Sequence, residues 1–378
     1  MNQPADLPTF ATDANYPAGT DPWSGTPTKV KPALAVTAPG HMPNTEWPSQ
    51  WENWWKANVA EHLALAADAA ALNWSANTVV DLTQPFTHAK LIQFGERMAG
   101  VLNTTLGKTA TGGFLSWIPG GGTYGAAGPL TDLVTDHTTI LVTDGSLVSK
   151  TTNVGDAFSG AGTLANVDAN LYHKLGYFNG VWCAMTADKL TFDADLSGTW
   201  TNGNAQIPSS WAGIHPREIK SSPNELLILP DTSASKPVIR STNGSTFSEA
   251  GTITSPGAVI ASMAYSPAKN QWAAITITGK AFVSGNGGLT WTEAGTITTV
   301  STVTHLVALG SAWVIVCTDR LFTTRDFVTA KKILHVNGVG NWTHALRYTS
   351  TFGSQTIERV VVSGNTSNID VTLSNWLG

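Results

Sequence analysis

Residues 284–291 constrain the fold more than any other part of the chain. They read Ser-Gly-Asn-Gly-Gly-Leu-Thr-Trp and follow an apolar run at 281–283. The side chain of Asn286 can accept hydrogen bonds from nearby backbone N–H groups, and Gly287 and Gly288 adopt positive φ angles without a steric penalty. The threonine and tryptophan at the end favour a new strand. The stretch therefore predicts a tight turn between two antiparallel strands.

A second copy lies forty-three residues upstream, where residues 241–247 read Ser-Thr-Asn-Gly-Ser-Thr-Phe. Both copies run into nearly identical tails, Ser-Glu-Ala-Gly-Thr-Ile at 248–253 and Thr-Glu-Ala-Gly-Thr-Ile at 292–297. A period of about 40–50 residues built of short strands is typical of β-propeller blades. Weaker copies follow the same rhythm at 148–158, 191–200, 323–327 and 361–365.

This pattern resembles the Asp-box, the repeated hairpin of sialidase-type β-propellers, with Asn in place of the usual Asp. The residues that carry the resemblance are Ser284, Asn286, Gly288, Thr290, Trp291, Ser241, Asn243, Gly244 and Phe247. The resemblance implies a mainly β protein with about six propeller blades in residues 113–378. Because Asp-boxes lie at the rim of such propellers, it implies a structural role for these residues and no catalytic one.

Residues 1–48 are rich in proline and glycine but still contain aromatic residues, so we expect an extended arm that lies on a partner. A loose tail is the alternative.

Residues 49–72 predict an amphipathic helix, with Ser49 as its N-cap and Glu52 at capping-box spacing. One face of that helix carries a tryptophan-rich stripe, either packed on the propeller or forming an assembly interface. The stripe consists of Trp51, Trp54, Trp55, Val59 and Leu63.

Residues 73–112 contain two strand-like runs, at 78–82 and 89–94. They predict either a connector or a contribution to the first blade. The predicted domain organisation is therefore an arm at 1–48, a helix at 49–72, a connecting segment or part of the first blade at 73–112, and a propeller at 113–378.

Composition excludes several classes of function. Charged residues make up 12% of the chain and its net charge is −5, so a general nucleic-acid binder with a basic face is not expected. The chain contains no run of about 20 apolar residues, so a membrane span is not expected. Its first residues do not have the pattern of a signal peptide. The two cysteines, Cys183 and Cys317, lie in apolar runs and predict buried thiols, with a disulfide between blades as the alternative.

No motif in the sequence predicts a catalytic residue, a metal site or a cofactor. Residues 120–125 fit Gly-x-Gly-x-x-Gly, but Pro129 follows where a phosphate-binding helix would have to begin. The histidines and cysteines lack metal-ligand spacing. Asp132, Asp136 and His137 form a cluster that could transfer protons but is typical of a loop between strands.

The comparison with sialidases also argues against an enzyme. Those enzymes hold a substrate carboxylate with three arginines and carry an early Phe/Tyr-Arg-Ile-Pro stretch, and residues 216–219, Pro-Arg-Glu-Ile, do not match it. Asp193 and Asp195 could act as a carboxylate pair, but they lie inside a degenerate box where a turn-forming Asp is expected.

The N-terminal segment resembles a different family. Residues 8–13, 21–30 and 39–43, followed by the tryptophan-rich helix, are similar to the N-terminal segments of bacteriophage virion proteins. In that family the N-terminal part anchors the protein to the particle and the distal domain faces outward. The resemblance implies a structural component of a virion, such as a tail fibre, appendage or tail-associated protein.

This reading also implies partners and leaves alternatives. We expect contacts with other virion proteins through residues 1–72, and a homo-oligomer, most plausibly a trimer. The protein would be assembled in the host cytoplasm and located in the virion. One alternative is a module for host attachment that binds a surface glycan, and a further alternative is a glycoside hydrolase of sialidase-like fold.

Overall fold

The structure, a computed structural model, describes thirteen segments of the chain and consists almost entirely of strands. The described segments are 75–81, 90–95, 97–102, 105–109, 117–119, 130–144, 147–153, 157–164, 174–298, 301–335, 342–352, 355–364 and 367–372. The predicted arm at 1–48 and helix at 49–72, with Trp51, Trp54, Trp55, Val59 and Leu63, lie outside these residues.

The described residues form seven four-stranded antiparallel sheets, named blades 1 to 7. Strand β1, Ser75–Asp81, precedes them in the chain. Blade 1 contains β2 Leu91–Phe94, β3 Arg97–Leu102, β4 Thr105–Thr109 and β5 Trp117–Pro119. Blade 2 contains β6 Asp132–Thr135, β7 Ile140–Thr143, β8 Leu147–Thr151 and β9 Ser159–Thr163. Blade 3 contains β10 Lys174–Phe178, β11 Val181–Met185, β12 Leu190–Asp193 and β13 Thr201–Asn202.

The later blades repeat the same order. Blade 4 contains β14 Pro216–Ser221, β15 Leu226–Pro230, β16 Lys236–Ser241 and β17 Ser248–Ile253. Blade 5 contains β18 Ile260–Ser266, β19 Gln271–Thr276, β20 Lys280–Ser284 and β21 Thr292–Thr296. Blade 6 contains β22 Val303–Leu309, β23 Ala312–Cys317, β24 Arg320–Thr324 and β25 Ala330–His335. Blade 7 contains β26 Trp342–Phe352, β27 Gln355–Gly364 and β28 Ser367–Thr372. Two 3-10 helices, Asn204–Gln206 and Ser209–Trp211, connect blades 3 and 4.

The blades close into a ring, which confirms the predicted β-propeller. The first strands contact one another in the order β2, β6, β10, β14, β18, β22, β26 and back to β2. Strand β1 pairs with β28, with Ser75 opposite Thr372 and Asp81 opposite Ser367, and so completes blade 7 from the N-terminal side.

The ring begins earlier in the chain than position 113 and has seven blades in its described part, where the repeat had indicated about six. Residues 73–112 supply β1 and most of blade 1, the second of the two alternatives considered for them. This blade carries no recognisable box, so the repeat gave no sign of it.

The core lies between blades. The second strands of blades 3, 4 and 6 are apolar along their whole length. In β15, Leu-Leu-Ile-Leu-Pro, and β23, Ala-Trp-Val-Ile-Val-Cys, every residue is buried. Strands that are covered on both faces have such continuous apolar runs, whereas strands with one wet face alternate. Neighbouring blades therefore share apolar clusters, one of which joins Leu227 and Leu229 of blade 4 to Met263, Trp272 and Phe282 of blade 5.

Turns with the Asp-box pattern, here called box turns, recur in five successive blades. They connect the third and fourth strands of blades 2 to 6. In blade 5, Ser284 Oγ donates to Asn286 Oδ1 at 3.0 Å and accepts from Gly288 N at 2.9 Å, while Thr290 N donates to Asn286 Oδ1 at 3.0 Å. These bonds satisfy backbone groups that the turn would otherwise leave unpaired. The paired box residues are Thr151 and Asn153, Asp193 and Asp195, Ser241 and Asn243, Ser284 and Asn286, and Thr324 and Asp326.

The box turns of blades 5 and 6 also pack on the preceding blade. The N–H of Gly251 in β17 donates to the carbonyl of Gly288, in the box of the next blade, at 2.8 Å. A Cβ on Gly251 would lie 2.5 Å from the carbonyl oxygen of Leu289. Gly295, at the same place in blade 5, stands against the carbonyl of Phe327 in the box of blade 6. The glycine of the repeated Glu-Ala-Gly tail therefore leaves room for the box turn of the next blade, because it has no side chain.

We predict that Gly251→Ala lowers the free energy of unfolding by about 2–3 kcal/mol, because overpacking against rigid backbone forces the two blades apart. The matched control is Gly285→Ala, in the box turn of blade 5 that Gly251 contacts, because an added Cβ at Gly285 meets nothing within 4 Å. That variant should be neutral or stabilised by up to about 1 kcal/mol. Urea denaturation followed by tryptophan fluorescence measures both, and equal losses for the two variants would contradict the docking role.

Both cysteines are buried free thiols, as predicted. Burial raises the pKa of Cys183 to about 12 and that of Cys317 to about 11, so both remain protonated at neutral pH.

Candidate functional site

The ring of first strands encloses a cavity of about 610 Å³. All seven blades contribute to its wall, from Lys90 and Leu91 at β2 to residues 344–347 in β26. Because the first strand of each blade is the innermost, its side chains are the ones that reach the central channel. This volume lies within the usual range of small-molecule sites, about 300–1,000 Å³.

The two most buried carboxylates of the channel bind the neighbouring blade's backbone. Asp132 Oδ2 accepts the N–H of Leu175 at 2.7 Å, and its Oδ1 lies 3.0 Å from Lys90 Nζ. Glu218 accepts the N–H of Met263 at 2.8 Å. Buried backbone donors need such partners, so these two carboxylates hold blades together.

Glu218 remains ionised in this position. Burial raises its pKa, but Lys220, His305 and the N–H of Met263 together outweigh that effect and bring the pKa below its ordinary value. Lys220 Nζ lies 3.2 Å from Glu218 Oε1, and Ser262 Oγ donates to the same carboxylate.

Positive charge exceeds negative charge along the channel. Five lysines and arginines line the cavity against three carboxylates, although the whole chain has a net charge of −5. Arg347 pairs with Glu358, and Arg217 makes a loose ion pair with Asp231, at 3.9 Å. The side chain of Lys174 forms no hydrogen bond or ion pair with another described residue. The five cationic residues are Lys90, Lys174, Arg217, Lys220 and Arg347.

Three histidines also line the cavity. The rings of His305 and His344 meet edge to face, with centroids 4.3 Å apart. Burial lowers the pKa of His305 to about 3, with Lys220, Arg217 and Lys174 acting in the same direction. Burial also holds the pKa of His344 well below its ordinary value. Both imidazoles are therefore neutral at pH 7.

Two of these histidines have buried nitrogen atoms that lack a partner. The Nδ1 atoms of His305 and His215 are buried, and neither has a hydrogen-bond partner among the described residues. A buried polar atom of this kind calls for a bound water, ion or ligand. Within the described segments, no group of three or more His, Cys, Asp or Glu side chains is arranged to hold a metal ion.

The residues singled out in the sequence lie away from this channel. Asn286 and Asn243 form box turns between third and fourth strands, together with Ser284, Gly288, Thr290, Trp291, Ser241, Gly244 and Phe247. Asp193 accepts the N–H groups of Asp195 and Leu196, and Asp136 accepts those of Thr138 and Thr139, so both aspartates form turns. Of the Asp132, Asp136 and His137 cluster, only Asp132 lines the cavity.

Sequence reasoning missed Lys174, Arg217, Lys220, His305 and His344. They lie far apart in the chain, except for Arg217 and Lys220, which share β14, and they come together because each belongs to a first strand. Alignment of the repeats on their first strands would have placed them on one ring.

No protein-family model and no curated protein sequence matches the chain. Many solved structures are similar to it in shape. One is YCF48 bound to a D1 peptide, with 15% identity, a TM-score of 0.56, and coverage of 80% of this chain and 97% of that one. Another is the extracellular domain of BT4673 from B. thetaiotaomicron, with 11% identity, a TM-score of 0.57, and coverage of 79% and 39%. A third is Sqt1 from Saccharomyces cerevisiae, with 11% identity, a TM-score of 0.54, and coverage of 74% and 82%.

These neighbours are β-propellers of unrelated function, so they support the fold alone. The chain spans well under half of the BT4673 structure. Among the described residues, no helix has the length and apolar character needed to cross a membrane.

Proposed function

We propose that the protein is a structural component of a bacteriophage virion, a tail fibre, appendage or tail-associated protein. Residues 1–72 attach it to other virion proteins, and the propeller is the exposed body. One observation carries the proposal beyond the N-terminal resemblance. Every strand of the seven described sheets lies within Ser75–Thr372, so the ring closes without residues 1–74.

We propose that the predicted tryptophan stripe serves assembly. Three tryptophans on one helix face are a large apolar load, and such a face is typical of an interaction site. We propose a closed homo-oligomer, a trimer, because closed symmetry is the rule for homo-oligomers. The particle is assembled in the host cytoplasm, and the protein resides in the virion.

Deletion of residues 1–72 tests the attachment. The deletion spares β1, which begins at Ser75 and completes blade 7. We expect the shortened chain to fold, with an unchanged β-sheet circular dichroism signal, but to be missing from particles purified from cells that produce it. The full-length chain expressed at the same level is the control. Incorporation of both chains to the same extent would contradict the proposal.

Host attachment through a surface glycan is a second candidate function, and the channel favours it. The cavity combines cations, neutral imidazoles and the ring of Tyr265, and all of these occur in sugar-binding sites. A glycan array with no hits for the full chain would count against this candidate.

We propose binding rather than catalysis. A glycoside hydrolase would need a pair of carboxyl groups free to transfer protons, whereas Asp132 and Glu218 bind backbone N–H groups across blade boundaries. Release of sugar from a host polysaccharide, lost on substitution of Asp193 or Asp136, would restore the hydrolase alternative.

A further inference from the structure

Most cations of the central channel are paired, but the side chain of Lys174 has no partner among the described residues and Arg217 has only a loose one. Asp132 and Glu218 are engaged with the N–H groups of Leu175 and Met263 and with the neighbouring Lys90 and Lys220. Lys174 has no such partner among the described residues. Arg217 keeps most of its guanidinium unpaired, since its hydrogen bond to the carbonyl of Ala261 uses only Nε.

The cations converge on one region of the channel. The positive charges of Lys90, Lys174 and Lys220 all lower the pKa of His344, and those of Lys174, Arg217 and Lys220 lower that of His305. These cations come from three different blades, so the ring brings them together. Like charges in a concave, poorly solvated site repel one another and raise the local concentration of anions.

Hydrogen-bonding groups lie beside those cations. His305 and His215 each present a buried Nδ1 without a described partner. A neutral imidazole offers one donor and one acceptor. A simple inorganic anion would satisfy the cations but carries no ring of hydroxyl groups to pair with both imidazoles.

We propose that the central channel binds a sugar that carries an acid group, a carboxylate or a phosphate. Lys174 and Arg217 bind the acid, and His305 and His215 pair with sugar hydroxyl groups. The inference rests on the glycan-binding role proposed above and does not depend on attachment to a virion.

Isothermal titration calorimetry on the full chain tests the proposal with four probes. Galacturonate and glucose 6-phosphate carry the two kinds of acid, galactose is the neutral sugar, and inorganic phosphate is the anion without a sugar. We expect at least one acidic sugar to bind at least tenfold more tightly than both galactose and inorganic phosphate. Its affinity should fall as salt is raised, since the contact is between charges.

Lys174→Gln should weaken that binding about tenfold or more, because charge-assisted hydrogen bonds are the strong ones. The matched control, Lys189→Gln, removes a lysine outside the cavity and should bind as the wild type does.

No binding of either acidic sugar at millimolar concentration would overturn the inference. So would equal binding of galactose or inorganic phosphate, or affinity that neither salt nor Lys174→Gln reduces. If no acidic sugar binds, the proposed attachment to particles still stands. If the chain is absent from particles, the proposed sugar binding still stands.

Discussion

Replacing Glu225 by alanine is expected to lower the free energy of unfolding by about 3–5 kcal/mol, the usual cost of removing one partner from a buried charged network. Glu225 is only 5% exposed and lies where blades 4 and 5 meet. Its Oε1 accepts from Ser222 Oγ at 2.6 Å and from Trp272 Nε1 at 2.7 Å, and its Oε2 lies 3.6 Å from Arg240. Alanine would leave the buried indole N–H without an acceptor and the partly exposed guanidinium of Arg240 without its ion pair.

Two matched variants separate this network from charge in general. Glu225→Gln keeps an acceptor for Trp272 and should cost less than alanine does. Glu293→Ala removes an exposed carboxylate, 52% accessible, that pairs with Lys280, and should change stability by less than about 1 kcal/mol. Urea denaturation of all three variants checks the order. A loss for Glu225→Ala no larger than that for Glu293→Ala would show that the network does not join the blades.

Acidification is expected to destabilise the propeller well before its carboxylates protonate. His305 has a pKa of about 3 in the folded protein, and that of His344 lies well below 6.5. Unfolded histidines titrate near 6.5, so the unfolded chain binds more protons between the two values. The stability due to the neutral histidines is complete above pH 6.5 and is lost as the pH falls. At pH 5 the loss is about 2 kcal/mol for His305, and His344 adds a loss in the same direction.

Unfolding free energies measured by urea denaturation at pH 7.5, 6.5, 5.5 and 5.0 check this expectation. The charged groups that face the pair are Glu218, Lys220, Arg217, Lys174 and Lys90, and Glu218, with its lowered pKa, stays ionised across this window. A double variant with asparagine at His305 and His344 should lose most of the dependence of the unfolding free energy on pH. His137→Asn, on an exposed turn, should keep it. A wild-type profile that is flat from pH 7.5 to 5.0 would contradict buried, neutral histidines.

The box turns were readable from sequence because their chemistry is local. The side chain of Asn286 bonds to a backbone N–H four residues later, and Asn243 does so two and three residues later. Such contacts leave a pattern at fixed spacing, so the fold class followed from two good copies. The exact number of blades did not, since blade 1 has no recognisable box.

Closure and the channel depend on contacts that the chain makes over long distances. Ser75 pairs with Thr372, and Gln93 exchanges hydrogen bonds with the backbone of Thr349, 256 residues away. The channel gathers single residues from Lys90 to Arg347. No local pattern marks these residues, because the wall is assembled from all seven blades.

Cryo-electron microscopy of the purified particle, produced by the genome that encodes the chain, tests the central claim most directly. We predict disc-shaped density with seven spokes around a central channel, joined to the particle on the side of residues 1–72 and present in three copies per attachment point. A particle without this disc, and without the chain, would contradict the proposed function.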